Sequence, residues 1–195
     1  MRHTAIAEAG NMLTELLRVS LVPEVILNQD HIGLCSPADK GDLALGIYLY
    51  DIRECEELRS HSMIMVDPSR QKYPSSYLNL YYMITAYSNG DLKYRAEEEA
   101  RILGKTVQVL NDHSVFEEMI QGQGLPEGET VPTAQFLNLS MEDKMRIWNV
   151  PNTAYKPSVF YKMGPIEIES EKVRTTQRVV DVAFLVEESK SSQNP

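Results

Sequence analysis

Two cysteines, one tryptophan and four histidines in 195 residues leave little material for several kinds of chemistry. Cys35 and Cys55 lack CxxC spacing and are too sparse for a secreted disulfide framework, so a reduced pair of buried thiols is expected. His3, His31, His61 and His113 lie far apart and form neither HExxH nor a Cys/His cluster, which leaves zinc, and a metal site generally, unsupported. Cations are also scarce: 19 Lys and Arg face 28 Asp and Glu, a formal net charge of -9. Counterion release on phosphates needs clustered Lys and Arg, so neither nucleic acid nor an anionic membrane surface is expected as a partner. No window approaches about 18 uncharged apolar residues, the length of a membrane-spanning helix. Glu8, Glu15 and Arg18 interrupt the first apolar pattern, where a signal peptide would need an unbroken run. A soluble protein made in the cytoplasm is the expectation.

The familiar catalytic signatures are missing as well. There is no GxSxG elbow and no P-loop. The glycines of "GQGLPEG" follow a helical pattern and precede a proline-containing loop, whereas a dinucleotide site needs strand, glycines, then helix; no cofactor is expected. Asp112, His113 and Ser114 are adjacent, and neighbouring side chains diverge, whereas triads assemble from separated segments. The sequence therefore gives no reason to expect an enzyme.

What is present fits one α+β domain over 1–187 with a disordered tail over 188–195, since length gives a prior near one domain per about 150 residues. Ile6, Ala9, Leu13, Leu16 and Leu17 recur at helical spacing, predicting a helix from a Thr4 cap to about Val19. Two runs read as strands apolar on both faces, "LALGIYLYDI" and "YLNLYYMITAY", the mark of central strands. Between them, "HSMIMVDPSRQKYPSS" reads as a strand end and an exposed excursion. Asp91 is a candidate cap for a long helix whose apolar steps are Leu92, Ala96, Ala100, Leu103, Val107 and Leu110. "SVFEEMI" suggests a further helical turn, "QGQGLPEGET" a loop, and "VPTAQFLNL" a strand. A short helix follows with Ser140 as cap, ending at an inward Trp148. The last third predicts a hairpin, with "PSVFYKMGPIEIES" and "QRVVDVAFLVEE" extended and "EKVRTT" as their polar connection. Together these predict a mixed, mostly antiparallel sheet with helices packed on it.

The segment "GIYLYDIRECEELRS" poses a sharper question, because one strand runs from the core into a string of charges. Asp51 and Glu54 point to opposite faces of a strand, which is poor geometry for shared acid–base work. Asp51 shares a face with Arg53, and Glu54 with Glu56, so an ion-pair ladder with adjacent strands is one expectation. A solvated pair of this kind is worth at most about 1 kcal/mol. Plain surface and a subunit interface both remain open on this reading.

Four segments in order, "YLYDIRECEELRS", "SYLNLYYMITAY", "EEEARILGKTVQVLNDHSVF" and "YKPSVFYKMGPIEI", resemble the cap, or tail-terminator, family of extracellular contractile injection systems, which are phage-tail-like particles. Leu16-Leu17-Arg18 matches the end of that family's first helix. Tyr48 to Glu54 with Glu57, Leu58 and Arg59 matches its YLYDIRE and ELR strand, Leu103-Gly104 its long helix, and Tyr155 to Ser158 its Tyr-basic-Pro-Ser signature.

The resemblance implies a fold like phage tail terminators and a homohexameric ring that ends polymerisation of inner tube and sheath and holds them together. It makes Asp51, Arg53, Glu54, Glu57 and Arg59 candidates for contacts between protomers. Arg174, Gln177, Arg178 and Asp181, in the C-terminal hairpin, become candidates for the sheath contact. Rival readings are a prophage tail-terminator or neck protein, and a peptide- or ligand-binding adaptor using Tyr77, Tyr81 and Tyr87.

Overall fold

Ala5, Ala9, Leu13, Leu17 and Leu21 repeat every fourth residue, and each is essentially sealed from solvent. They form the inner stripe of α1 (Ala5–Leu21) in the structure, a computed structural model that describes residues 3–67, 69–116, 131–149, 151 and 153–175. The helix runs two residues past the expected Val19. Thr4 does not cap it: its backbone is already helical (φ -78, ψ -12), and its hydroxyl donates to Glu8 Oε1 at 2.6 Å. Near its other end, Arg18 Nε and Nη2 donate to the Ile32 carbonyl at 3.1 and 2.9 Å.

The stripe packs on a five-stranded sheet of β1 (Ile32–Leu34), β2 (Leu45–Glu54), β5 (Ser76–Ala86), β6 (Thr133–Phe136) and β7 (Ser158–Ile168). Their order is β1-β2-β5-β7-β6, with β1 parallel to β2 and every other pair antiparallel. The expected mixed, mostly antiparallel α+β arrangement is what forms. Both two-faced runs lie inside the sheet, since strands covered on both sides need apolar residues on both. One face, with Leu45, Ile47, Leu80, Tyr82, Ile84, Tyr161 and Met163, meets α1 and α2 (Arg95–Asp112). The other collects Met83, Tyr87, Trp148 and Phe160 in a smaller cluster bordered by Tyr48, Tyr50, Ile147 and Tyr155. Trp148 follows α3 (Met141–Ile147) and is buried as expected, and the Ser140 hydroxyl accepts from Asp143 N at 3.1 Å to cap that helix.

α2 departs from expectation in two ways. Asp91 contributes its carbonyl to Tyr94 N and Arg95 N rather than a side-chain cap, and Leu92 stands 83% exposed before the helix begins. The buried stripe is Ile102, Thr106, Val109 and Leu110; Ala96 and Ala100 are exposed, and Leu103 and Val107 only half-buried. Thr106 enters the core because its hydroxyl bonds back to the Ile102 carbonyl at 2.8 Å, a polar residue that a purely apolar pattern passes over. The helical turn expected from Ser114 does not start there, because Val115 bridges Thr133 and Phe116 N bonds the Pro132 carbonyl. The remainder of that turn, the loop of 121–130, the strand expected over 177–187 and the tail of 188–195 lie outside the described residues.

Residues 61–74 and 170–195 make a second compact unit, distinct from that formed by 1–60 and 75–169. Its described part is an antiparallel sheet of β3 (Ile64–Asp67), β4 (Arg70–Lys72) and β8 (Val173–Thr175), ordered β3-β4-β8. β8 falls in the stretch expected as a polar connection, and the excursion supplies a paired hairpin. These strands are three or four residues long, too short to show an alternation; β3 (Ile-Met-Val-Asp) is the apolar strand end expected there, whereas β4 (Arg-Gln-Lys) and β8 (Val-Arg-Thr) are largely polar. Asp67 makes the turn, its carboxylate accepting from Ser69 N and Oγ and from Arg70 Nε, which holds its pKa down to about 2.

Candidate assembly interface

β2 passes from buried (Leu45 to Ile47) through half-buried (Tyr48 to Asp51) to exposed (Ile52 to Glu54). A bulge sits in the middle. Leu49 pairs with Tyr82 and Asp51 with Tyr81, so Tyr50 is an extra residue with no partner of its own. Simple alternation would put Asp51 and Arg53 on the side of Leu45, Ile47 and Leu49, beneath the helices. The bulge moves them to the opposite face, and Ile52, opposite Leu80, takes the helix side.

On that opposite face Arg53 Nε bonds Asp51 Oδ2 at 2.6 Å, and its guanidinium lies 4.9 Å from the centre of the Tyr81 ring. The bond to Asp51 raises the Arg53 pKa above its ordinary value. Tyr50 lies beside Tyr81 (6.2 Å between centroids) and meets Phe160 edge-on at 5.9 Å. Burial first, and then the Asp51 charge, push the Tyr50 hydroxyl up to about 12. Register continues the row through Lys162 and Gln135 on β7 and β6. The expected ladder to adjacent strands is therefore replaced: the ion pair runs along one strand, and its cross-strand neighbour is an aromatic ring.

Glu54 pairs with Leu78 and so belongs to the other face, where Arg59 Nε approaches Glu54 Oε1 at 3.7 Å. Glu57 lies in the short 3-10 turn Glu56–Leu58, and the thiol of buried Cys55 points at its carboxylate at 3.7 Å. The five sequence candidates thus divide into a pair, Asp51 and Arg53, on one face and a group, Glu54, Glu57 and Arg59, at the strand's end. Arg174 is exposed on β8 opposite Gln71; Gln177, Arg178 and Asp181 lie outside the described residues. Tyr50 and Lys162 were missed by sequence reading because nothing in the alternation betrays a bulge. The Tyr77–Tyr81–Tyr87 surface does not exist as an open face, since Tyr87 is buried among Trp148 and Phe160.

Among the described residues no group of three or more His, Cys, Asp or Glu could hold a metal ion, and no helix is long and apolar enough to cross a membrane. The site offers paired charges and tyrosines on a rigid sheet, which suits contact with another protein surface.

A family model described as the Pvc16 N-terminal domain matches residues 8–181. The chain belongs to the Pvc16 N-terminal domain family. No curated protein sequence matches it. Among solved structures, this Pvc16 N-terminal domain is similar to the sheath/tube terminator of PVC, an extracellular contractile injection system, in its extended state. That likeness has a TM-score of 0.63 at 17% identity and covers 99% of this chain. It is similar also to the tube-terminating cap of the anti-feeding prophage, with a TM-score of 0.61 at 15% identity over 92% of this chain. The domain spans 66% and 61% of the length of those two chains. At such identities the likeness establishes the fold, and the expected terminator-like architecture is the one found.

Proposed function

We propose that this protein is the terminator, or cap, of a contractile injection particle: a homohexameric ring at one end of tube and sheath that stops their growth and holds them together. The observation that carries this reading is membership of the Pvc16 N-terminal domain family across 8–181, joined to a fold shared with a sheath/tube terminator over 99% of the chain. Its role is structural rather than catalytic, consistent with two solved relatives that are a terminator and a cap. Synthesis and assembly take place in the cytoplasm, and the protein becomes part of a phage-tail-like particle.

In this reading Asp51 and Arg53, with Glu54, Glu57 and Arg59, face a neighbouring protomer. A closed ring needs two different patches per protomer, and partners of opposite sign set their register. Arg174, with Gln177, Arg178 and Asp181, faces the sheath. The test is negative-stain imaging of tube and sheath proteins assembled with and without labelled protein. The expected result is label at one end only and tubes of limited length; unlabelled ends with unchanged lengths would overturn the proposal. In the same assay, Arg174→Glu is expected to release sheath while label stays on the tube.

A further inference from the structure

Several charges near the end of β2 are already spent within the chain. On the sheet face turned away from α1 and α2, Arg53 is held by Asp51 at 2.6 Å and lies over the Tyr81 ring. At the strand's end Arg59 answers Glu54 at 3.7 Å. The charges left over differ in sign between the two places. On the face, Lys162 of β7 is half-buried between its register partners Tyr81 and Gln135, neither of which can neutralise it. Lys144 of α3 reaches the same surface, its ammonium 5.8 Å from the ring of Phe160, which shares that side of β7 with Lys162. The two acids of α3 are committed elsewhere, Glu142 to Arg146 at 2.5 Å and Asp143 to the Ser140 hydroxyl at 2.6 Å. At the end of β2, exposed Glu56 and Glu57 follow one another in the 3-10 turn. No cation among the described residues is paired with either, and Glu57 accepts only from the weak Cys55 thiol at 3.7 Å.

We infer that the face bearing Lys144 and Lys162 in one protomer receives the Glu56–Glu57 turn of the next copy. The occupant is a second copy of this chain for two reasons. First, a half-buried ammonium without a counter-charge is costly, so Lys162 calls for a carboxylate from outside its own fold. The chain presents two adjacent carboxylates that its own cations leave unspent, and they meet two unspent lysines. Second, donor and receiver occupy different surfaces: the turn lies beyond the end of β2, and the lysines lie on the sheet face around β7, with β5 between the two strands. Two unlike patches on one chain form a heterologous contact, which runs head to tail and closes when each step turns by a fixed angle. In a molecule of net charge -9 such a pairing also gives otherwise repelling copies one orientation in which they attract. The inference rests on the ring proposed above and deepens it by stating which patch meets which.

The test uses two variants of the full chain. Lys144→Glu/Lys162→Glu makes the receiving face acidic, and Glu56→Lys/Glu57→Lys makes the turn basic. Each alone should keep its native circular dichroism and lose the ring, as read by mass photometry in solution and by negative stain on tube ends. Mixed in equal amounts, the two should form rings again with the variants alternating, because each acidic face then meets a basic turn and each basic face an acidic one. Native mass spectrometry reads that composition. Rings of the unmodified protein that survive in either variant, or that mixing does not restore, would overturn the inference and leave the ring reading standing. Unmodified protein that stays monomeric even on tube ends would overturn the ring reading and the inference with it. Lys162→Gln covers the case in which a glutamate at that position disturbs folding. It removes the charge without adding a repelled one and should still weaken ring formation about tenfold or more; undiminished rings would count against the contact.

Discussion

At the scale of single residues, side chains act through partners that sequence places only in part. Ser140 was legible as a cap because a serine before an acidic first turn has one good use for its hydroxyl. Thr4 and Asp91 looked equivalent and are not, since Thr4 bonds Glu8 and Asp91 uses its carbonyl. The Lys156–Glu99 pair was invisible, being 57 residues apart: Lys156 Nζ reaches Glu99 Oε1 at 2.5 Å, and the same carboxylate accepts from Ser88 N at 3.0 Å. It ties α2, the end of β5 and the approach to β7 at one point, with Glu99 only 15% exposed. Lys156→Ala is expected to cost about 1–3 kcal/mol, because a largely buried carboxylate loses its charge partner, and a urea unfolding series measures it. Arg53→Glu should behave oppositely. Its side chain is 65% exposed, so stability should stay within about 1 kcal/mol while the oligomer is lost, as read by circular dichroism and mass photometry. A ring that survives the reversal would remove Arg53 from the interface.

At the scale of elements, what alternation can encode was readable and what breaks alternation was not. β2 and β5 announced themselves by length and two-faced apolarity, and β7 as an extended run. β3 was legible only as a strand end, and β4 and β8 not at all, because runs of three or four residues are too short to carry a period. The bulges were equally hidden. At Tyr50 the extra residue decides which face bears Asp51 and Arg53, and in β7 a second shift occurs where Leu78 pairs with Ile166 but Leu80 with Met163. Gly164 sits in that second irregularity, where a Cβ would come within 2.9 Å of the Leu78 carbonyl oxygen and 2.6 Å of Asn79 Oδ1. The carbonyl belongs to a paired strand and cannot step aside. Gly164→Ala should therefore destabilise by about 1–3 kcal/mol, lowering the thermal midpoint, whereas Gly104→Ala, in open space on α2, should not.

At the scale of the molecule, the core sets an alkaline limit. Tyr50, Tyr87 and Tyr161 are pushed up to about 12, chiefly by burial, and burial raises Tyr82 further. The folded state holds these protons more tightly than the unfolded chain, which releases them near 10. Their contribution to stability is thus intact below about pH 10 and is lost as pH climbs toward 12. Unfolding midpoints should fall over that interval, and tyrosinate absorbance should show four of the ten tyrosines ionising only as the fold opens. Fold class and family were legible from ordered segments; the division into two units was not, since it depends on residues 61–74 and 170–175 meeting across the chain. The flanks of the five-stranded sheet carry one more consequence. Arg18 occupies the outer carbonyl of β1, and Val115 bridges the outer side of β6, with Ser114 accepting from Ala134 N. At these points backbone groups of the two border strands are already spent, which leaves fewer of them free to pair with a strand of another copy.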